Sequence, residues 1–225
     1  MNNMDKSTKR YDIILFDLDG TLTNPKEGIT KSVAYALSHF GIYVNDLDEL
    51  CKFIGPSLEF SFRKYYGLEG ADNALAIQKY REIFSREGIW QNAEYPGMKE
   101  LLEKLYKAGK RLIVATAKPT VYAEKIIEHF GMAKFFEKVA GSELNGQRSE
   151  KDEVIAHAMK ECGIASPEGC VMVGDREYDI WGAKNNNMDS VGVLYGFGTR
   201  EELEAAGATY IAKDIDELAE ILSGE

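Results

Sequence analysis

Three short apolar runs, Tyr11 to Phe16, Arg111 to Ala115 and Gly169 to Val173, each stop at a cluster of polar residues. Runs of this length, rich in Ile, Leu and Val and apolar at consecutive positions, read as strands buried on both faces, as in a parallel sheet. Between and beyond them lie stretches of helical period, Met98 to Ala108, Val121 to Phe130 and Val154 to Cys162, followed by Gly109, Gly131 and Gly163. Glycine after a helix takes the left-handed turn that ends it. This alternation is that of an open α/β sheet. Further strands are expected at Lys138 to Ala140, Asp189 to Leu194 and Thr209 to Ile211, about six in all. Thr199 to Glu202 reads as a capping box that opens a helix toward Ala206.

Residues from about Pro25 to Trp90 break the alternation. Ile29, Val33, Ala36, Leu37 and Phe40, then Leu58, Phe60, Phe62 and Leu75, recur at mostly helical spacing with no strand pattern. We expect a small all-helical domain over residues 23–94, inserted into a core made of 1–22 and 95–225. The insertion leaves directly after the first strand and returns at Tyr95-Pro96-Gly97, a turn signal. Both connections then meet the sheet near the carboxyl end of that strand, where open α/β sheets hold their ligands, so the insertion is placed as a lid.

The chain has 225 residues, 44% of them apolar, and a formal net charge of −10 from 27 basic and 37 acidic residues. That composition predicts a folded globular protein whose average surface repels nucleic acid and anionic membrane. We expect neither as a partner, and a monomer or weak homodimer. Cys51, Cys162 and Cys170 are odd in number and have no CxxC or zinc-site spacing, which fits a reducing, cytoplasmic setting. Met1 to Arg10 are polar, lack the apolar stretch of a signal peptide, and read as a frayed arm.

The chemistry concentrates where strands end. Asp17-Leu18-Asp19-Gly20-Thr21-Leu22-Thr23 follows the first strand. In extended chain two residues apart point the same way, about 6.6 Å along the strand, so both carboxylates face one pocket. Taken alone, such a pair is as readily an Asx turn or a helix cap. As a functional pair it calls for a bound cation, or for a division into nucleophile and proton carrier, and Gly20 lets the chain turn away without a side chain in the pocket. A second acidic pair stands in Gly174-Asp175-Arg176-Glu177-Tyr178-Asp179, after another apolar strand. Four carboxylates at one sheet edge suit a hard divalent cation such as Mg²⁺. Thr116-Ala117-Lys118-Pro119 follows a third strand, with Pro119 suited to the first position of a helix. Thr116 either only supports that turn or, through its hydroxyl together with the free backbone N–H groups and the helix N-terminus, offers a phosphate-oxygen site. Lys151, just before a helix, is an ordinary surface lysine or the cation that a phosphate among carboxylates needs.

Together these residues resemble the haloacid dehalogenase superfamily of phosphohydrolases, over essentially the whole chain: DxDGTxT at Asp17 to Thr23, Thr116, Lys151, and GDxxxD from Gly174 to Asp179. The insertion is similar to the helical cap of phosphoglycolate phosphatase-like enzymes, and Phe53 to Leu58 and Gly192 to Gly198 also resemble that subgroup. The resemblance implies a Rossmann-like three-layer core with a parallel sheet plus the cap. It implies that Asp17 attacks phosphorus to form an aspartyl-phosphate while Asp19 is the proton carrier. Asp17, the Asp19 carbonyl and Asp175 would bind Mg²⁺, with Asp179 as an outer or weaker ligand. Thr116 and Lys151 would hold phosphoryl oxygens, with Gly20, Thr21, Ala117 and Lys118 also at the substrate. Two positions depart from the pattern: Asp152 stands where many relatives have proline, making Arg148 and Lys118 rivals to Lys151, and Ala117 replaces the usual Asn or Ser. The expected reaction is hydrolysis of a small phosphomonoester, such as phosphoglycolate or a nucleoside monophosphate. A phosphoryl-transferring mutase of the β-phosphoglucomutase type, or a non-catalytic binder of a phosphorylated ligand, are the alternatives. In the cap, Lys52, Arg63 and Lys64 are candidates to meet an anionic tail, and Phe53, Tyr65 and Tyr66 to stack on a base.

Overall fold

The structure, a computed structural model, describes residues 11–224. The expected arm, Met1 to Arg10, lies outside them. In chain order the elements are β1 (Ile13–Phe16), β2 (Thr23–Asn24), α1 (Lys26–Ser38), α2 (Leu58–Tyr66), α3 (Gly70–Phe84), β3 (Ala93–Glu94), α4 (Met98–Lys107), β4 (Arg111–Pro119), α5 (Thr120–His129), β5 (Lys138–Ser142), α6 (Lys151–Glu161), β6 (Cys170–Gly174), α7 (Glu177–Asn185), β7 (Asp189–Val193), α8 (Arg200–Ala206), β8 (Tyr210–Ala212) and α9 (Ile215–Ser223). Short 3₁₀ turns at Leu47–Phe53, Gly88–Trp90 and Ala133–Phe135 complete them.

Six strands form one parallel sheet in the order β5-β4-β1-β6-β7-β8. The chain builds leftward from β1 and then returns to build rightward, so β1 stands at the switch point where an open sheet leaves a crevice at its carboxyl edge. Leu15, Val114, Met172 and Val191 are fully buried, as strands covered on both faces require. Helices pack on those faces by an apolar stripe; α4 buries Met98, Leu101, Leu102 and Leu105, the i, i+3, i+4, i+7 positions of one side.

Register brings the motifs together. Phe16 lies opposite both Val114 and Val173, and the Asp17 N–H donates to the Val173 carbonyl at 2.9 Å. Asp17, Thr116 and Asp175, far apart in sequence, therefore leave the sheet at nearly the same level.

Two local expectations change. β4 continues to Pro119 through an irregularity after Ala115 and pairs again at Ser142, so Pro119 precedes the helix instead of opening it, and α5 starts at Thr120. The insertion contains α1, α2 and α3, yet its two crossings pair as an antiparallel ribbon, Thr23 with Glu94 and Asn24 with Ala93. A two-residue strand is too short to carry a period that a sequence can display.

Candidate active site

Asp17, Asp175 and Asp179 bring carboxylate oxygens within 4.8 Å of one another, and all three side chains are buried. Lys151, the first residue of α6, lies among them with its Nζ 2.8 Å from Asp17 Oδ1, 2.7 Å from Asp179 Oδ1 and 3.1 Å from the Ala115 carbonyl. Burial opposes the charge on Lys151, but the two carboxylates outweigh it and hold the ammonium above its ordinary pKa. Burial raises Asp175 well above the usual carboxylate range, with Asp179 and Asp17 adding to it, while the Phe197 N–H at 2.8 Å pulls the other way. Burial likewise pushes Asp179 up to about 6 against the pull of Lys151. Its Oδ2 accepts the Arg176 N–H at 3.1 Å and so also caps α7.

Glycines make room for these acids. A Cβ on Gly20, whose φ is +86°, would stand 2.2 Å from Asp175 Oδ2, and one on Gly174 would stand 2.1 Å from the Asp179 carboxyl carbon. Gly20 therefore serves both the turn and the close approach.

Asp19 stands apart from this trio. Its Oδ2 is 2.5 Å from Lys118 Nζ, its Oδ1 is buried without a hydrogen-bond partner, and the Lys118 ammonium lies 4.7 Å from the centre of the Phe84 ring of α3. Burial raises the Asp19 pKa and Lys118 opposes that rise. Thr116 is buried beside them, its hydroxyl accepting the Lys118 N–H at 3.3 Å.

A cavity of about 290 Å³ opens onto Asp17, Asp19, Thr116, Ala117 and Lys118, and much of its lining comes from the insertion, including Phe53, Leu58, Tyr80, Arg81 and Phe84. Tyr122 and the Glu143–Gly146 segment complete it. Tyr80 and Phe84 stack with ring centres 5.2 Å apart, and Arg81 Nη1 donates to the Leu144 carbonyl at 2.8 Å, bridging insertion and core.

Residues 14–193 match the family described as haloacid dehalogenase-like hydrolase. The chain belongs to the haloacid dehalogenase-like hydrolase family. It is 45% identical to a 5'-nucleotidase of Pseudomonas aeruginosa over 95% of this chain and 96% of that one. It is 38% identical to the tyrosine-protein kinase PtkA of Mycobacterium tuberculosis over 93% of this chain and 72% of the relative. The crystal structure of a predicted phosphatase from Clostridium acetobutylicum superposes with a TM-score of 0.92 at 48% identity, covering 94% of this chain and 98% of that one. The protein is thus an enzyme of the haloacid dehalogenase-like hydrolase family, and proteins named as phosphatases match it along nearly their whole length.

Measured against the family's motifs, Lys151 and not Arg148 is the cation at Asp17; Arg148 pairs with Glu143. Thr116, Ala117 and Lys118 face the cavity. Gly20 and Thr21 do not line it: Gly20 packs on Asp175, and the Thr21 hydroxyl lies 3.5 Å from Asp175 Oδ1. Of the aromatic and basic residues singled out in the insertion, only Phe53 reaches the cavity. Lys52 lies over Tyr65 and Tyr66, Lys64 over Phe60 and Tyr65, and Arg63 borders a separate surface hollow with Glu59 and Asn73. Tyr80, Arg81, Phe84 and Tyr122 escaped sequence reasoning. Tyr80 and Phe84 carry the one available signal, an aromatic pair at i, i+4 on a helix, which equally marks an ordinary core stripe.

The donor set fits a hard divalent cation. Asp17 Oδ1 and Asp179 Oδ1 touch Lys151 as ion pairs, yet neither is engaged in a directed hydrogen bond. Three buried carboxylates, when ionised, outnumber the one ammonium, and an oxygen-ligated divalent ion would neutralise the excess. Among the described residues no helix is long and apolar enough to cross a membrane, and Cys51, Cys162 and Cys170 are free thiols.

Proposed function

We propose that this protein is a cytoplasmic, Mg²⁺-dependent phosphatase that hydrolyses nucleoside 5'-monophosphates through an aspartyl-phosphate. The observation that carries this reading is a single cavity lined both by Asp17 and Asp19 and by the rings of Phe53, Tyr80, Phe84 and Tyr122. Asp17, the Asp19 backbone carbonyl, Asp175 and Asp179 would hold the ion, which when bound offsets charge on the transferring phosphoryl group.

A carboxylate oxygen of Asp17 attacks phosphorus, and the bond from phosphorus to the ester oxygen breaks. Asp19 delivers a proton to the departing alkoxide from Oδ1, the oxygen that Lys118 does not occupy. Water then attacks the phosphorus of the aspartyl-phosphate, Asp19 takes its proton, and inorganic phosphate leaves with Asp17 restored. Lys151 steadies the Asp17 carboxylate, and Thr116, the Ala117 backbone and Lys118 meet the phosphoryl oxygens. Residues 23–94 act as the cap, shielding the site from bulk water while leaving room for the single water that hydrolyses the intermediate.

The substrate class follows from the walls. A cavity near the lower end of the range of roughly 300–1,000 Å³ typical of ligand sites, faced by Phe53, Tyr80, Phe84 and Tyr122, suits a planar base better than a second carboxylate. The name of the P. aeruginosa relative agrees with that preference. The test is phosphate release over a panel of nucleoside monophosphates, 2-phosphoglycolate and sugar phosphates, with Mg²⁺ and with chelator. Higher kcat/KM for the nucleotides and dependence on Mg²⁺ support the reading. Preference for 2-phosphoglycolate, isomer formation without phosphate release, or binding without turnover would each refute it.

A further inference from the structure

Arg176 directly follows Asp175 and belongs to the core, yet its guanidinium grips the insertion. Nη1 donates to the Ile54 carbonyl at 2.7 Å, and Nε donates to Glu202 Oε1 at 2.8 Å. The same Glu202 oxygen accepts the Glu177 N–H at 3.0 Å. Glu202 thus does not close the capping box expected with Thr199: the Thr199 hydroxyl accepts the Glu202 N–H at 3.2 Å, while the Glu202 carboxylate turns to Arg176.

The contact is built closely on the cap side. Gly55 has φ +108°, a region that favours glycine, and a Cβ there would stand 2.9 Å from Arg176 Cγ. Just beyond, the Ser57 hydroxyl accepts the Phe60 N–H at 3.3 Å and caps α2. Gly55 through Glu59 line the cavity. A continuous bonded path therefore runs from Asp175, in the acidic cradle, through Arg176 to the wall that meets substrate. A guanidinium suits this place because its planar fork serves two acceptors in fixed directions, which a single ammonium does not reproduce.

We propose that Arg176 is a positioning residue that docks the Ile54–Leu58 wall of the cap over the acidic cradle, with Glu202 as its anchor. It acts on the part of the substrate beyond the phosphate, by holding that wall in place, and takes no part in proton or phosphoryl transfer. The kinetic half of this inference rests on the phosphatase reading; the docking half does not.

The experiment compares wild type, Arg176→Ala, Arg176→Lys and Glu202→Ala as full chains, by amide hydrogen exchange and by kinetics on a nucleoside 5'-monophosphate. In Arg176→Ala, exchange across residues 54–61 accelerates by about tenfold or more while β1, β4 and β6 exchange as in wild type. KM rises about tenfold with kcat changed less than about threefold, and Arg176→Lys restores only part of the effect. Glu202→Ala shows the same pattern more weakly, and it decides the matter if Arg176→Ala does not fold. Unchanged exchange at 54–61 overturns the proposal whatever the protein's activity. So does a fall in kcat with KM unchanged, which would put the effect on Asp175 instead. Accelerated exchange in a protein that turns over none of the panel sustains the docking role and refutes the phosphatase reading alone.

Discussion

Replacing Lys151 by methionine isolates the electrostatics of the acidic cradle. Methionine keeps an unbranched stem, which matters because Lys151 packs tightly on Gly182, where a Cβ would stand 2.7 Å from Lys151 Cγ. What the substitution removes is the ammonium between Asp17 and Asp179, in a place where all three side chains are at most 3% exposed. Removing one partner of a buried ion pair costs about 3–5 kcal/mol, because the remaining charge stays uncompensated. At roughly 2–4 °C per kcal/mol for a chain of this size, the melting temperature in chelator should fall by about 10 °C. The loss should depend on pH with a definite sign. The folded-state pKa of Asp179 is already pushed up to about 6 by burial, so its contribution to stability falls as pH rises from its ordinary value near 3.8 toward 6. Without Lys151 that pKa rises further, so the gap between variant and wild type should widen above pH 6 and narrow toward pH 5. Saturating Mg²⁺ should then stabilise the variant more than the wild type, since the ion replaces the missing positive charge. Thermal unfolding followed by circular dichroism at several pH values, with chelator and with Mg²⁺, measures all of this. An unchanged melting temperature in chelator at pH 8 would refute the account of the cradle.

Asp17→Asn should abolish turnover and prevent trapping of labelled phosphate on the protein; retained phosphate release would remove the nucleophile. Asp19→Ala should slow nucleotide hydrolysis by about 10²–10⁴-fold and slow release from an aryl phosphate less, because a phenolate needs less help in leaving. Equal losses on both substrates would count against leaving-group protonation. Gly20→Ala should lower stability by about 1–3 kcal/mol from backbone strain alone, more from the clash with Asp175, and impair metal binding; calorimetry with and without Mg²⁺ reads both. Phe84→Ala should raise KM for nucleotides about tenfold, the order of a lost ring contact of roughly 1.4 kcal/mol, and a KM indistinguishable from wild type would mean that the base lies elsewhere.

Local physics determined much of this protein before any folding was considered. The apolar runs at Ile13–Phe16, Arg111–Ala115 and Cys170–Gly174 have one stable destination, a sheet covered on both faces, and the acids that follow them must emerge at its edge. The convergence of Asp17, Thr116 and Asp175 was legible for that reason, since each follows an apolar run along the chain; Lys151 opens a helix, and only the family resemblance singled it out. Tertiary structure alone decided the partners that those residues take and the wall that faces them. Nothing in the spacing of Lys118 says that it meets Asp19 rather than solvent. The aromatic residues of the insertion share one helical period whether they turn to core or to cavity, and docking selected Phe53, Tyr80 and Phe84 over Tyr65 and Tyr66. The Glu202 sequence context reads as a cap, but a long carboxylate reaches whichever donor packing brings near, and here that donor is Arg176. Side-chain period and the succession of strands and helices are properties of the chain; which face of one element meets which loop of another depends on close packing between parts distant in sequence.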